Sequence, residues 1–243
     1  MGAPEYLQPL ADTGFYLRHQ LILTRDGQPF GSEIRIVMEP GVGRLSPSKL
    51  ACIYSEMQMH IQLTAFLRND PVLQSQSDVT RRFVCIAQAD LADQALHEEL
   101  IQGGETLSQY GQRLVVTMDD PPDPDASPEC RIKIIKHIYA MKEHGVELAL
   151  DNYNPLQGGV DINIDPDLFD YIRVPVCRLE RLYGLSRQVE LLALVHERIT
   201  VLKQCGQTSI IADNITHAEN QLLARSLPFD YFQGDGLVPG GNG

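Results

Sequence analysis

The chain has 243 residues, 43% of them hydrophobic, enough for one large core, and α/β barrels commonly reach this length as a single domain. Against 20 basic residues stand 32 acidic ones, a formal net charge of -12, which excludes the basic footprint that non-specific nucleic-acid binding needs. No apolar run approaches the roughly 20 residues of a membrane span, and the opening Met-Gly-Ala-Pro-Glu is neither basic nor apolar, so neither a membrane helix nor a secretory signal is expected.

Short apolar runs alternate with helical stretches along the whole chain. Strands are expected over Phe15 to Leu23 and Glu33 to Met38, then a helix over Pro47 to Leu67, with Ser46 as cap and proline in its first turn. A strand follows over Arg82 to Ala87, a helix from about Leu91 to Gln102, and a strand over Arg113 to Thr117. Pro128 to His144 reads as an amphipathic helix with Ile132, Ile135, Ile138 and Tyr139 on one face, ended by Gly145. Val146 to Leu150 and Tyr171 to Val174 are the next strands. A helix from about Ser186 to Gln204, a strand over Ser209 to Ala212, a helix over Ala218 to Ser226 and a last short strand, Tyr231 to Phe232, complete the set. Strands of this kind, alternating with helices, predict a parallel sheet covered on its outer face. Eight of them at this length favour a (β/α)8 barrel over an open doubly wound sheet.

Three other features carry less. The Asp119 to Pro128 segment is rich in proline and aspartate and predicts an extended, solvated loop whose spacing matches no calcium-binding loop. The five cysteines, Cys52, Cys85, Cys130, Cys177 and Cys205, include no C-x-x-C pair, which suits reduced, mostly buried thiols in the cytoplasm rather than disulfides or zinc. The seven histidines never fall at i, i+4 ligand spacing around an acid; helix-face or surface positions are expected for most of them.

The segment Gly31-Ser32-Glu33-Ile34-Arg35 resembles the signature of the EAL family, bacterial domains that hydrolyse cyclic di-GMP, in which Glu-Ala-Leu follows a glycine and a variable residue. Later segments are similar to that family in the same order. Phe83 to Ala87 aligns with a strand that ends in a metal-binding asparagine, here Cys85. Thr117-Met118-Asp119-Asp120 stands for Glu-x-Thr-Glu, and Asp151-Asn152-Tyr153-Asn154 for Asp-Asp-Phe-Gly. Arg173 takes the place of a lysine, Pro175 of an aspartate, and Ala212 to Thr216 of Ala-Glu-Gly-Val-Glu. Phe232-Gln233-Gly234 matches the terminal Gln-Gly. The resemblance spans roughly Phe15 to Val238.

It implies a single EAL-type barrel over residues 1–243, with short flexible ends at about 1–13 and 239–243 and a first strand antiparallel to its neighbours. It also implies a degenerate site. EAL enzymes are similar in holding divalent cations with carboxylates and an asparagine, so that the metal lowers the pKa of the attacking water. Cys85, Thr117, Asn152, Arg173 and Thr216 replace residues of that apparatus. A thiol is a poor ligand for magnesium or manganese, and arginine does not act as a base. No catalytic residue, no resident metal and no cofactor are therefore expected. The pocket that remains is assigned to Gln20, Glu33, Arg35, Asp151, Arg173, Asp213 and Gln233, with His19 as the alternative to Gln20 in the first strand. The family's phosphate-gripping arginine falls at Val37, and Arg35 is a partial substitute. The expected role is a cytoplasmic regulatory module of cyclic di-GMP signalling that works through contacts with a protein, a homodimer partner included. A receptor that binds cyclic di-GMP without hydrolysis is the alternative, and an active phosphodiesterase a distant one.

Overall fold

The computed structural model describes residues 7–10, 15–38, 67–68, 79–118, 127–156, 168–180, 188–205 and 207–237. The helix expected over Pro47 to Leu67 lies outside them except at its last residue, which is helical. The proline-rich loop before Pro128 and the tail from Pro239 also lie outside.

Among the described residues nine strands are present: β1 (Leu7–Leu10), β2 (Phe15–Thr24), β3 (Pro29–Met38), β4 (Arg81–Ile86), β5 (Arg113–Met118), β6 (Glu147–Leu150), β7 (Tyr171–Pro175), β8 (Ser209–Asp213) and β9 (Tyr231–Gln233). They form one sheet in chain order, and a pairing of β2 with β9 closes β2–β9 into an eight-stranded barrel. β2 runs antiparallel to β3 and to β9; every other barrel pair is parallel. The connections explain this. β2 and β3 are joined by a tight turn, in which Thr24 N–H bonds the Gln28 carbonyl at 2.8 Å and Gly27 takes φ 77°, and a hairpin turn reverses the chain. Parallel neighbours need a long crossover, usually helical.

Five helices lie wholly within the described residues: α1 (Gln94–Gln109), α2 (Pro128–Glu143), α3 (Val176–Glu180), α4 (Gln188–Cys205) and α5 (Ala218–Ser226), with a short 3-10 turn at Gln88–Ala92. Side-chain caps start two of them: Asp93 accepts from the Leu96 N–H at 2.9 Å, and Ser127 from the Cys130 N–H at 3.2 Å with Pro128 behind it. Gly145, at φ 78°, ends the turn after α2.

Burial is in two layers. Inside the barrel lie Ile22, Phe83, Val115, Ala149, Tyr171 and Ile211. Outward residues of the same strands, such as Val84, Val116, Leu148, Ile172 and Ile210, pack with helix residues such as Leu100, Ile138, Val195 and Leu223. Strands covered on both faces read as continuous apolar runs, so they were readable.

Four expectations are corrected. Leu7–Leu10, assigned to a flexible end, forms β1 and pairs antiparallel with β2. The helix expected from Leu91 to Gln102 is split by the Asp93 cap into the 3-10 turn and a longer α1. The segment from Pro175 to Arg181, expected as a loop after its strand, holds α3. The buried face of α2 is Ile134, His137, Ile138 and Met141, while Ile132, Ile135 and Tyr139 are exposed. The sequence offers two overlapping apolar stripes on that helix, and packing against α1 and the 3-10 turn selects the one that carries a histidine.

Candidate functional site

Alternation along each strand sends every second side chain into the barrel, and the last inward positions at the C-terminal strand ends form one ring. Glu33 comes from β3, Cys85 from β4, Thr117 from β5, Asp151 follows β6, Arg173 lies on β7, Asp213 ends β8 and Gln233 ends β9. Antiparallel β2 adds Gln20, paired in register with Glu33. Of the seven residues assigned from sequence, six meet here. Arg35 is in β3, opposite Arg18, and its side chain lies outside the described residues.

The centre of the ring is the Arg173 guanidinium, fully buried. Nη1 donates to Glu33 Oε1 at 2.6 Å and Nη2 to Glu33 Oε2 at 3.1 Å, a two-pronged pair. Nη2 also donates to Asp213 Oδ2 at 2.8 Å and to Gln233 Oε1 at 3.0 Å. Nε faces Asp151 Oδ1 at 3.7 Å, beyond hydrogen-bond range. The Gln233 amide then donates to Glu33 Oε2 and, at 3.1 Å, to Gln20 Oε1. Gln20 in turn donates to Asp235 Oδ1 at 2.6 Å. One chain of hydrogen bonds thus runs from the buried guanidinium to the surface. Asp235 escaped the sequence reading because it follows Gln233-Gly234, the last motif matched to the family.

Burial works against the charge on Arg173, but Glu33, Asp213 and Asp151 outweigh it and hold the guanidinium well above its ordinary value. Asp151 is the poorest-served acid. Burial pushes its carboxyl up against the pull of Arg173, with the Asp213 and Glu33 charges adding to the rise. Three carboxylates face one guanidinium, so the ring carries an excess of negative charge.

Two matching devices shape the rim. Asp151 Oδ1 accepts the Asn152 N–H at 2.9 Å, and Asp213 Oδ1 accepts the Asn214 N–H at 2.6 Å. Both asparagines take left-handed backbone, φ 56° and 59°, a region in which asparagine is enriched among non-glycine residues. The residues after Asp151 are then pinned: Tyr153 N–H to the Arg173 carbonyl at 3.0 Å, Arg178 to the Asn152 carbonyl at 2.8 Å, and Arg198 to the Pro155 carbonyl at 2.5 Å.

The arrangement does not fit a divalent cation. Glu33 and Asp213 point their oxygens at a guanidinium, Thr117 offers a buried hydroxyl with no hydrogen-bond partner among the described residues, and Cys85 offers sulfur. Among the described residues no group of three or more His, Cys, Asp or Glu side chains is placed to hold a metal. Cys85, expected to be buried, is exposed, because its strand ends where the barrel mouth opens. Of the histidines, His97 and His137 lie on helix faces, as expected, and are buried there.

The closed barrel with one antiparallel first strand matches solved EAL structures over nearly the whole chain. The fold is that of the EAL domains. The EAL enzyme Bd1971 with cAMP and cyclic di-GMP bound superposes with a TM-score of 0.64 at 13% identity, covering 92% of this chain and 61% of that one. Vibrio cholerae LapD, an S helix-GGDEF-EAL protein bound to c-di-GMP, gives 0.67 at 14% identity, covering 91% and 52%. The Xanthomonas citri FimX EAL domain in complex with c-di-GMP gives 0.62 at 16% identity, covering 91% and 86%. The chain thus spans about half to three fifths of the first two and most of the third. No protein-family model matches the chain, and no curated protein matches it. Among the described residues, no helix is long and apolar enough to cross a membrane.

Proposed function

We propose that this chain is a non-catalytic EAL-fold module of cyclic di-GMP signalling that acts through protein contacts. The carrying observation is the Arg173 guanidinium, seated where Glu33, Asp213 and Gln233 converge. Metal-assisted hydrolysis needs a cation with an open coordination position, to polarise the phosphodiester and generate hydroxide from water. A guanidinium has neither property: it holds its protons at any working pH and offers only donors. Glu33 and Asp213 are engaged in neutralising it.

The same geometry weighs against a cyclic di-GMP receptor. The ligand is a dianion, and the ring at the mouth holds more carboxylate than cation. Arg173 is committed to ion pairs, and a phosphate would have to displace a buried carboxylate from it. What favours the receptor reading is that Bd1971, LapD and FimX were each solved with cyclic di-GMP bound. For a protein partner, the segment from Asn152 to Pro155, fixed by Arg178 and Arg198, offers a preorganised surface, which lowers the ordering cost of association.

Two measurements test the proposal. Purified protein incubated with cyclic di-GMP and manganese is expected to yield no linear dinucleotide, and turnover abolished by Glu33→Ala would overturn the non-catalytic reading. Calorimetric titration with cyclic di-GMP is expected to give no saturable heat. Saturation below about 10 μM, roughly 7 kcal/mol, would establish the receptor reading instead.

A further inference from the structure

α1 and α2 meet through an unusual pair. The rings of His97 on α1 and His137 on α2 stack with centroids 4.1 Å apart and planes 17° apart, each residue 8% exposed. His137 Nδ1 lies 2.7 Å from the Leu91 carbonyl oxygen. A carbonyl only accepts, so Nδ1 carries the proton in the neutral ring. Among the described residues, neither ring nitrogen of His97 makes a well-formed hydrogen bond, although the His137 backbone lies near enough to favour a proton there. A second proton on His97 would therefore be a buried charge with no well-formed hydrogen bond to offset it, face to face with another imidazole.

We propose that the His97–His137 stack is an acid-sensitive latch between α1 and α2, closed while both rings are neutral and opened by protonation. Among the described residues, the charged groups around it are few. Glu98, next to His97 on α1, and the His137 backbone favour a proton there, whereas the charges of His137 and His144 oppose it. His144, just past the end of α2, is 3.4 Å from Glu105 of α1, and the 3-10 turn contributes the Leu91 carbonyl. Burial first, then His137, hold His97 below the ordinary imidazole value. In the unfolded chain the ring takes its proton near 6.5, before the folded one does. Stability is therefore full above that pH and is lost as pH falls through it and below. Leu91 belongs to the link that leaves the barrel mouth after Cys85, so opening the latch frees that link from α2 and couples acidity to the rim.

The test compares the full chain with His97→Phe, which keeps a ring but removes the titration. Amide exchange, corrected for intrinsic rate, is read at about pH 7.5 and about pH 5.5. Protection in α1 and α2 is expected to fall about tenfold relative to the barrel strands in the parent, and less than about twofold in the variant. Protection that falls equally in helices and strands would overturn the proposal. Should the variant not fold, NMR titration of the parent's imidazole protons decides. Two coupled steps, with His97 taking its proton below the ordinary range, support the latch; two independent titrations at about 6.5 refute it.

Discussion

The two ends of the barrel are closed by the same pair of chemistries, and they differ in what surrounds them. At the N-terminal end Glu147 accepts from Arg81 Nε at 3.2 Å and Nη2 at 3.1 Å and from the Tyr171 hydroxyl at 2.8 Å, with Arg113 Nε at 3.5 Å. The Phe30 and Tyr231 rings stack beside them, with Arg81 over the Phe30 face. There two guanidiniums share one carboxylate, and the Arg81 and Arg113 side chains are 28% and 56% exposed. Burial and the Glu147 charge push the Tyr171 hydroxyl far above its usual range, so it stays a donor. At the C-terminal end the ratio is inverted, three carboxylates to one guanidinium, and Arg173 is wholly buried. In barrels of this class the N-terminal end serves stability and the C-terminal end chemistry. Here the C-terminal end is furnished with an ion-paired plug of the kind found at the base.

The sharpest way to break that comparison is to remove each plug's arginine. Arg173→Met leaves Glu33 and Asp213 buried without their cation and is expected to lose about 3–5 kcal/mol in urea unfolding. Divalent cations sharpen the point. Millimolar manganese is expected to raise the melting temperature of Arg173→Ala, whose carboxylates are left facing a space, and to leave the parent unchanged. An equal response in both proteins would show that the guanidinium does not stand in the way of a metal.

Arg81→Met should matter less, about 1–2 kcal/mol, because Glu147 keeps Tyr171 and Arg113 and is nearer to solvent. Equal losses from the two arginine variants would erase the distinction between the ends. The smallest effect belongs to Asp151→Asn. The folded pKa of Asp151 is raised, so between the unfolded and folded values the native state holds more protons and stability falls as pH rises. The asparagine variant is expected to be slightly more stable than the parent at neutral pH, an advantage that disappears as pH falls through that window. A melting-temperature series from neutral pH to about pH 4 checks it; a variant less stable than the parent throughout would show that Arg173 relies on the Asp151 charge.

Much of the architecture was legible because local patterns carried it. Strands covered on both faces wrote themselves as short apolar runs, and proline with Gly145 marked the ends of α2. Glu33, Asp151, Arg173, Asp213 and Gln233 were placed together by the resemblance of their segments, taken in order, to the EAL family. What they do together was not legible. Arg173 reads from sequence as a replacement for a lysine, one role among seven separate positions, and nothing local says that its guanidinium reaches Glu33, Asp213 and Gln233 at once. Those partners are 140, 40 and 60 residues away, and they converge only when β2 pairs with β9 and closes the barrel.

The same division holds for α2. Its sequence determined a helix and fixed its start and stop, because a cap, a proline and a glycine act within one turn. It did not determine the rotation of that helix, because the Ile132–Ile135–Tyr139 and Ile134–Ile138–Met141 stripes are both apolar at helical spacing. The tertiary structure chose between them by where α1 and the Leu91 carbonyl stand. Side-chain pattern fixes local conformation through short-range sterics and hydrogen bonds, whereas ion pairs and buried faces depend on distances that exist only after the chain has closed on itself.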